Sequence, residues 1–331
     1  MLKFDEQRQL ASINGGLALR DKIEQFVDTI WKDGFDSIYY LGIGGTYASS
    51  MQAVSYMAGQ SSLPVYMEHA AEYLTNGNRR ITPKSVVVIS SVSGTTEEIV
   101  AAVDILKKQG TRVLGFIDAA DSPLAKKVDY LISYPTQEQL KFFMVANRLM
   151  YHDHTFDDYD RYNQNMETFL AKALVETEKA ADDFGLQFAR AHKDDAIHYF
   201  VGAGTQWGAT YSYAMCFWEE QHWLRTKSIH AGEFFHGTLE IIDRDTPVTV
   251  YIGEDKERPL AERVAKFLPR VCARYTIIDT KGYPLTGILP EYRGTISHLV
   301  MRIINQRIDA HIEELNCHPT EIRRYYRKVA Y

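Results

Sequence analysis

Ser37-Ile-Tyr-Tyr-Leu-Gly-Ile-Gly-Gly-Thr-Tyr47 reads as a short β-rich run that meets a glycine turn, followed by a helix rich in Ala, Ser and Met up to about Met57. The pattern returns 160 residues later as Ile197-His-Tyr-Phe-Val-Gly-Ala-Gly204. Beyond each copy the elements come in the same order. In the first half these are Pro64-Val-Tyr-Met67, Ser85-Val-Val-Val-Ile-Ser90, a helix from about Thr96 to Lys108, and Arg112-Val-Leu-Gly-Phe-Ile-Asp118. In the second, Pro247-Val-Thr-Val-Tyr-Ile252 stands in for Ser85 to Ser90, and a helix with Leu260, Val264 and Phe267 for the one with Ile99, Val103 and Leu106. Tyr275-Thr-Ile-Ile-Asp279 echoes Leu114 to Asp118. Alternating strands and helices build a parallel sheet wrapped by helices. The expectation is an α/β protein of two tandem αβα sandwich units with parallel sheets, one over 15–145 and one over 190–331, joined by a linker and helix over 146–189.

The flanks are read in the same way. Residues 15–34 are expected to form one amphipathic helix, with Leu17, Leu19, Ile23, Phe26, Val27 and Ile30 on its apolar face. Tyr151 to Asp160 is a polar connector, and a helix from about Asn163 to Ala181 turns Met166, Leu170 and Leu174 inward. The C-terminal Arg323-Arg-Tyr-Tyr-Arg-Lys-Val-Ala-Tyr331 is too aromatic for a free tail and is expected to fold back over a pocket.

With 331 residues, 45% hydrophobic and 24% charged, the chain has the make-up of a soluble globular protein long enough for two domains. A net charge of −6 argues against a broad nucleic-acid or anionic-membrane surface, while leaving room for a local phosphate pocket. Cys216, Cys272 and Cys317 are scattered and odd in number, as reduced thiols are. The N-terminus lacks the apolar run of a signal peptide, and no 18-residue apolar segment comes after it. A cytoplasmic protein is expected.

Two motifs carry chemistry. Ser91-Val-Ser-Gly-Thr-Thr96 follows a buried strand and opens a helix, which gathers hydroxyls, backbone N–H groups and the positive end of a helix dipole at one point. It lacks the Gly-Lys of a P-loop, and Gly42-Ile-Gly-Gly45 lacks the third glycine of a dinucleotide fingerprint. Helix capping by Ser and Thr is the plainer reading, but four hydroxyls exceed what a cap requires, so a phosphate cradle is favoured. The corresponding loop of the second half, Gly253-Glu-Asp-Lys-Glu-Arg-Pro259, has exchanged hydroxyls for acids.

The second motif is Phe217-Trp-Glu-Glu-Gln-His-Trp-Leu-Arg-Thr-Lys-Ser-Ile-His-Ala-Gly-Glu-Phe-Phe-His-Gly237, read as a helix end that breaks into a loop. Glu219, Glu220, His222, His230, Glu233 and His236 lie among Trp218, Trp223, Phe234 and Phe235. Partial desolvation brings carboxylate and imidazole pKa values toward neutrality, where one pair shuttles a proton cheaply. The histidine spacings of 8 and 6 offer no helical i, i+4 pair and no nearby Cys pair, so no metal is called for, and no cofactor either. His152-Asp-His154 is read as a solvated loop.

At these residues the sequence resembles the SIS (sugar isomerase) family. The likeness rests on Ser91 to Thr96, on Glu220 sixteen residues before His236, and on Gly232-Glu-Phe-Phe-His-Gly237. It looks like the isomerase half of glucosamine-6-phosphate synthase without the glutaminase. Within the family it is most similar to the deglycases of phosphorylated Amadori compounds, such as fructoselysine 6-phosphate and its fructose-asparagine counterpart. Ala231 to Ile241 and Arg323-Arg-Tyr325 carry that likeness, with departures at Ala231 and Thr238. The resemblance implies two SIS-type units, Glu220 as the proton-moving base and His236 as the ring-opening group. It also implies phosphate held by Thr46, Ser91, Ser93 and Thr96 with backbone N–H groups of Gly45 and Val92. A homodimer or higher homo-oligomer is implied too, with His236 acting in its own or a neighbouring subunit. An aldose–ketose phosphosugar isomerase, a phosphosugar deaminase and a non-catalytic phosphosugar sensor are the alternatives.

Overall fold

The computed structural model describes residues 1–330. The chain divides into two compact units, Gln7–Ala171 and a second made of Met1–Glu6 with the chain from Lys172 onward.

The N-terminal unit opens with α1 (Glu6–Leu17) and α2 (Arg20–Asp33). The expected single helix over 15–34 is therefore two. The chain tightens at Leu19, whose N–H donates to Gly16 O at 3.2 Å before Ile23 N–H resumes the helical register on Leu19 O. Gly15 and Gly16 lie just ahead of the break and weaken the helix there. Then follow β1 (Ile38–Gly42), α3 (Gly45–Ala58), β2 (Val65–His69), α4 (Ala70–Asn76), β3 (Val86–Ser91), α5 (Glu97–Lys108), β4 (Arg112–Ile117), β5 (Tyr130–Ile132), α6 (Glu138–His152) and α7 (Tyr159–Ala180). The division between units falls within α7, whose Met166, Leu170 and Leu174 are buried.

All strands of this unit pair in parallel, in the order β2-β1-β3-β4-β5. Every residue of β1 and β3 is buried, as strands covered by helices on both faces must be. A core of Tyr39, Leu41, Val87, Ile89, Ile99, Val103, Leu106, Val113 and Ile117 packs one face of the sheet.

The C-terminal unit contains α8 (Asp182–His192), β6 (His198–Gly202), α9 (Thr205–Ser212), a π-helical segment (Tyr213–Glu219), β7 (Thr226–His230), β8 (Val248–Ile252), α10 (Arg258–Phe267), β9 (Tyr275–Asp279) and α11 (Arg293–Asn316). Its sheet is parallel too, in the order β7-β6-β8-β9. One correction concerns the second motif: Thr226–His230 is an edge strand and not loop. Only Ile229 of this strand is buried, so its sequence carries no apolar alternation to betray it.

Both sheets change winding direction at their middle. From β1 the chain crosses to β2 on one side, and from β3 to β4 on the other; β6 and β8 repeat the arrangement. The carboxyl ends of two neighbouring strands that wind apart leave a crevice, the usual ligand site of open parallel sheets.

Candidate active site

In the N-terminal unit the crevice lies at the ends of β1 and β3, where Gly42–Thr46 and Ser91–Thr96 sit. Gly44 caps α3 with φ 58° and ψ −127°, a backbone that favours glycine, and a Cβ there would meet nothing within 4 Å. Space is open beside the first turn of α3, whose amides lack intrahelical acceptors. That turn carries no acid, whereas α5 carries Glu97 and Glu98 in its own. The α3 end is thus the more electropositive of the two.

The hydroxyls divide into two kinds. Thr46 Oγ1 accepts from Ile43 N–H at 3.0 Å and donates to Ile43 O at 2.9 Å, so it is spent on shaping its own turn. Ser91 Oγ accepts from Gly94 N–H at 3.0 Å, and Ser93 Oγ accepts from Thr95 N–H and Oγ1 at 3.2 and 2.9 Å. At Ser91, local acceptance of this kind leaves a hydroxyl proton to donate to an anion. Thr96 is the N-cap of α5, yet its hydroxyl makes no capping bond. Gly94, at φ 64°, is required by space as well as by dihedral, because a Cβ would lie 2.0 Å from Ser122 Oγ.

The crevice of the C-terminal unit has the same turn and is full. Gly204 caps α9 at φ 57° and ψ −131°, but a Cβ there would lie 2.8 Å from both Cβ and Oε2 of Glu257. Asp255 Oδ2 accepts from Thr205 N–H at 3.1 Å and from Thr205 Oγ1 at 2.5 Å. Burial pushes the Asp255 carboxyl above its ordinary value, against the pull of Thr205. A carboxylate of the chain itself occupies this helix start.

Glu220 follows the π-helical segment, half-buried, and its N–H donates to Met215 O at 3.1 Å. The π register places Glu220 one residue out of step with an α-helix, a device common at functional sites. His236 ends a 3₁₀ turn, Phe234–His236, and is exposed, while Phe234 is fully buried and fixes that turn in the core. No hydrogen bond joins Glu220 to His236 among the described residues. Glu219 accepts from Thr226 Oγ1 at 2.9 Å, which ties it to the edge strand.

The desolvated acid–base pair is a different one. His222 is buried, and its Nε2 lies 2.9 Å from Asp309 Oδ1, which Tyr213 Oη also approaches at 3.0 Å. Burial pushes Asp309 up despite His222 beside it. The partner lies 87 residues away on α11, beyond the reach of any local pattern. The pairing of Arg323 with Glu220 is just as remote in sequence: Arg323 Nε donates to Glu220 Oε1 at 2.9 Å. The C-terminal residues do fold back onto this segment, but Tyr325 and Tyr326 are 64% and 46% exposed, so aromatic burial is not what holds them. Tyr331 lies outside the described residues.

Elsewhere His192 Nδ1 and His198 Nδ1 lie 2.8 and 2.9 Å from Asp195 Oδ2. Arg274 donates to Asp195 Oδ1 at 2.6 Å, and Thr249 Oγ1 lies 2.8 Å from His198 Nε2. The guanidinium already balances the carboxylate, and the group reads as a structural tie between α8, β6 and β8 rather than a cation site.

The chain as a whole is similar to known proteins. Residues 34–150 match the SIS domain. Over those residues the chain is similar to that family. It is 28% identical over 320 residues to the fructosamine deglycase FrlB of Bacillus subtilis, covering 94% of this chain and 97% of the relative. It is 24% identical to the fructoselysine 6-phosphate deglycase of Escherichia coli K12, over 78% of this chain and 77% of the relative. In three dimensions it resembles a candidate phosphosugar isomerase of Bacillus subtilis, with a TM-score of 0.88, 26% identity, and coverage of 98% of this chain and 100% of the other. Relatives of this chain are sugar-phosphate deglycases and isomerases, and no helix among the described residues is long and apolar enough to cross a membrane.

Proposed function

We propose that this chain is a deglycase that hydrolyses a 6-phosphorylated fructosamine to a hexose 6-phosphate and a free amine. What carries the reading is an open anion turn at Gly44 in a chain that matches a fructosamine deglycase over nearly its whole length. The N-terminal unit, as a first SIS-type copy, supplies phosphate recognition through Ser91, Ser93, Thr96 and the amides of Gly45 and Val92. Thr46 shapes that turn. The C-terminal unit, as a second copy, supplies the proton work.

The substrate carries an amine on C1 and a ketone at C2. His236, exposed on its 3₁₀ turn, opens the sugar by trading a proton with the ring oxygen. Glu220 then takes a proton from C1, giving an enaminol, and returns it at C2. The C1–N bond becomes an imine, water adds to C1, and the resulting carbinolamine collapses to the aldehyde and the amine. Phosphate held remotely orients the reacting carbons without taking part. No step calls for a metal or cofactor, and a homo-oligomer in the cytoplasm is the expected setting.

A simple aldose–ketose isomerase is the second reading, favoured by the likeness to a candidate phosphosugar isomerase. A DNA-binding sensor gains little from the two helices ahead of β1, because α2 sets Asp21, Glu24, Asp28 and Asp33 against Arg20, Lys22 and Lys32. The test is to supply 6-phosphorylated fructoselysine, fructose-asparagine and glucoselysine separately and to assay amine and hexose 6-phosphate. Stoichiometric release of both supports the deglycase. Ketose–aldose exchange with no amine released from any of the three replaces it with the isomerase.

A further inference from the structure

The residues after α11 clasp the turn that carries Glu220. Arg323 Nε donates to Glu220 Oε1 at 2.9 Å, and the rest of its guanidinium is anchored in its own segment, Nη1 donating to the carbonyls of Thr320 and, at 3.2 Å, Ile322. Thr320 Oγ1 donates to Glu313 Oε2 at 3.2 Å, which fastens the segment to the end of α11. Three residues beyond Glu220, Trp223 holds φ 59°, a left-handed backbone uncommon for a side chain of that size. Its ring is gripped from the same segment, by His318 at 4.2 Å between centroids and by Arg324 with its guanidinium carbon 4.3 Å from the ring centre. His222 fixes the intervening residues from the α11 side through Asp309. The turn is thus held at three successive points, and only one contact reaches the carboxylate.

That contact is selective. Oε1 of Glu220 is taken, while Oε2 accepts nothing from the described residues. A guanidinium that is itself tied to two backbone carbonyls has little freedom to follow the carboxylate, so the carboxylate must conform to it. We infer that Arg323 is a positioning residue that holds Glu220 by one oxygen and aims the other at the carbon acid. The inference rests on the reading of Glu220 as the base. It assigns residues 318–324 a role in turnover and not only in closing the fold.

The experiment compares Arg323→Ala, Arg323→Lys, Arg324→Ala and Glu220→Gln in the full chain, with whichever 6-phosphorylated fructosamine the wild type hydrolyses. Each variant is measured for kcat, KM and thermal midpoint. Misplacing a reacting group by about 1 Å costs about 100-fold. R323A is therefore expected to lose about 10- to 100-fold in kcat with KM within about twofold, and added guanidinium ion is expected to restore part of the loss. R323K should fall between wild type and R323A, because a lysine supplies the charge without the planar fork. R324A touches Trp223 and not Glu220, so it reports what loosening the segment alone does. Wild-type kcat in R323A beside an inactive E220Q overturns the positioning role and leaves the base standing. Equal losses in R323A and R324A, tracking equal falls in thermal midpoint, also overturn it. Full turnover by E220Q overturns both the base and the role built on it.

Discussion

The two crevices share a backbone and differ in what fills them. Gly44 and Gly204 agree to 1° in φ and 4° in ψ, yet one borders open space and the other is closed by Glu257 and Asp255. A glycine turn at the carboxyl end of a parallel strand is therefore not a binding site by itself. The neighbouring loop decides. In the first unit that loop carries short hydroxyls at Ser91 and Ser93, and in the second the acids of Gly253 to Glu257 bring a carboxylate to the helix start. On the proposed reading, binding falls to the first crevice and proton transfer lies outside both.

The largest effect expected from that division is at Glu220. Its replacement by Gln keeps shape and removes the base, so turnover should fall by about 1,000-fold, within the range that positioned general bases contribute. Binding of the sugar phosphate, measured by calorimetry with fructose 6-phosphate, should change less than about threefold. Loss of binding together with turnover would mean that the C-terminal unit also grips the ligand, and the comparison would break.

Much of this was legible in the sequence because buried parallel strands are continuous apolar runs. β1, β3, β4, β6, β8 and β9 each fall where such a run was read. Edge strand β7 was not, because Thr226, Lys227, Ser228 and His230 surround a single inward Ile229. Helix α11 escaped for the opposite reason: 14 of its 24 residues are buried, spread around the helix, so no apolar stripe stands out. Leu17 and Leu19 fused α1 with α2 because apolar spacing continued across a break that only the backbone reveals. In the site, the motifs were local and could be read. The contacts that hold them were not: Asp309 reaches His222 across 87 residues and Arg323 reaches Glu220 across 103, and no periodicity encodes a pairing at that separation.

Acid should separate the units next. Burial drives His198 down to about 4 and His298 down to about 3, and both belong to the C-terminal unit. A histidine with a depressed folded value takes up its proton more readily when unfolded. The stability it contributes is complete above about pH 6.5 and is lost as pH falls toward 4, by about 3 kcal/mol for His198. Asp195 adds loss of the same sign lower down: burial raises it, but His192, His198 and Arg274 together hold it below the usual carboxylate range. Three of the four tryptophans, Trp207, Trp218 and Trp223, lie in that unit. Urea unfolding followed by tryptophan fluorescence should show its midpoint falling between pH 6.5 and 4. An unchanged midpoint would remove the buried neutral histidines from the account.

Next in size is the loop hydroxyl. Ser91→Ala leaves the strand intact and deletes one donor to a charged group, a bond of about 1.5 to 3 kcal/mol. KM for the phosphosugar should rise about 10-fold or more, with no change in thermal midpoint beyond a few degrees. Asp255→Ala, at the corresponding place in the other unit, should leave KM unaltered. A rise in KM for D255A would show that the filled crevice takes part in binding after all.

The smallest effect sharpens the comparison most, because it asks what Asp255 costs. Its folded value lies above the unfolded one, so protonated Asp255 stabilises the unit at low pH and that contribution is lost as pH rises through the folded value. Asn at this position keeps an oxygen to accept from Thr205 and carries no charge to bury. Asp255→Asn should therefore be more stable than wild type at pH 7, by less than about 1 kcal/mol, with the gap closing as pH falls through Asp255's own titration. A variant less stable at pH 7 would mean that Thr205 and the start of α9 need the full charge. The second crevice would then be an anion site that keeps its own anion, and the likeness of Gly44 to Gly204 would extend from backbone to electrostatics.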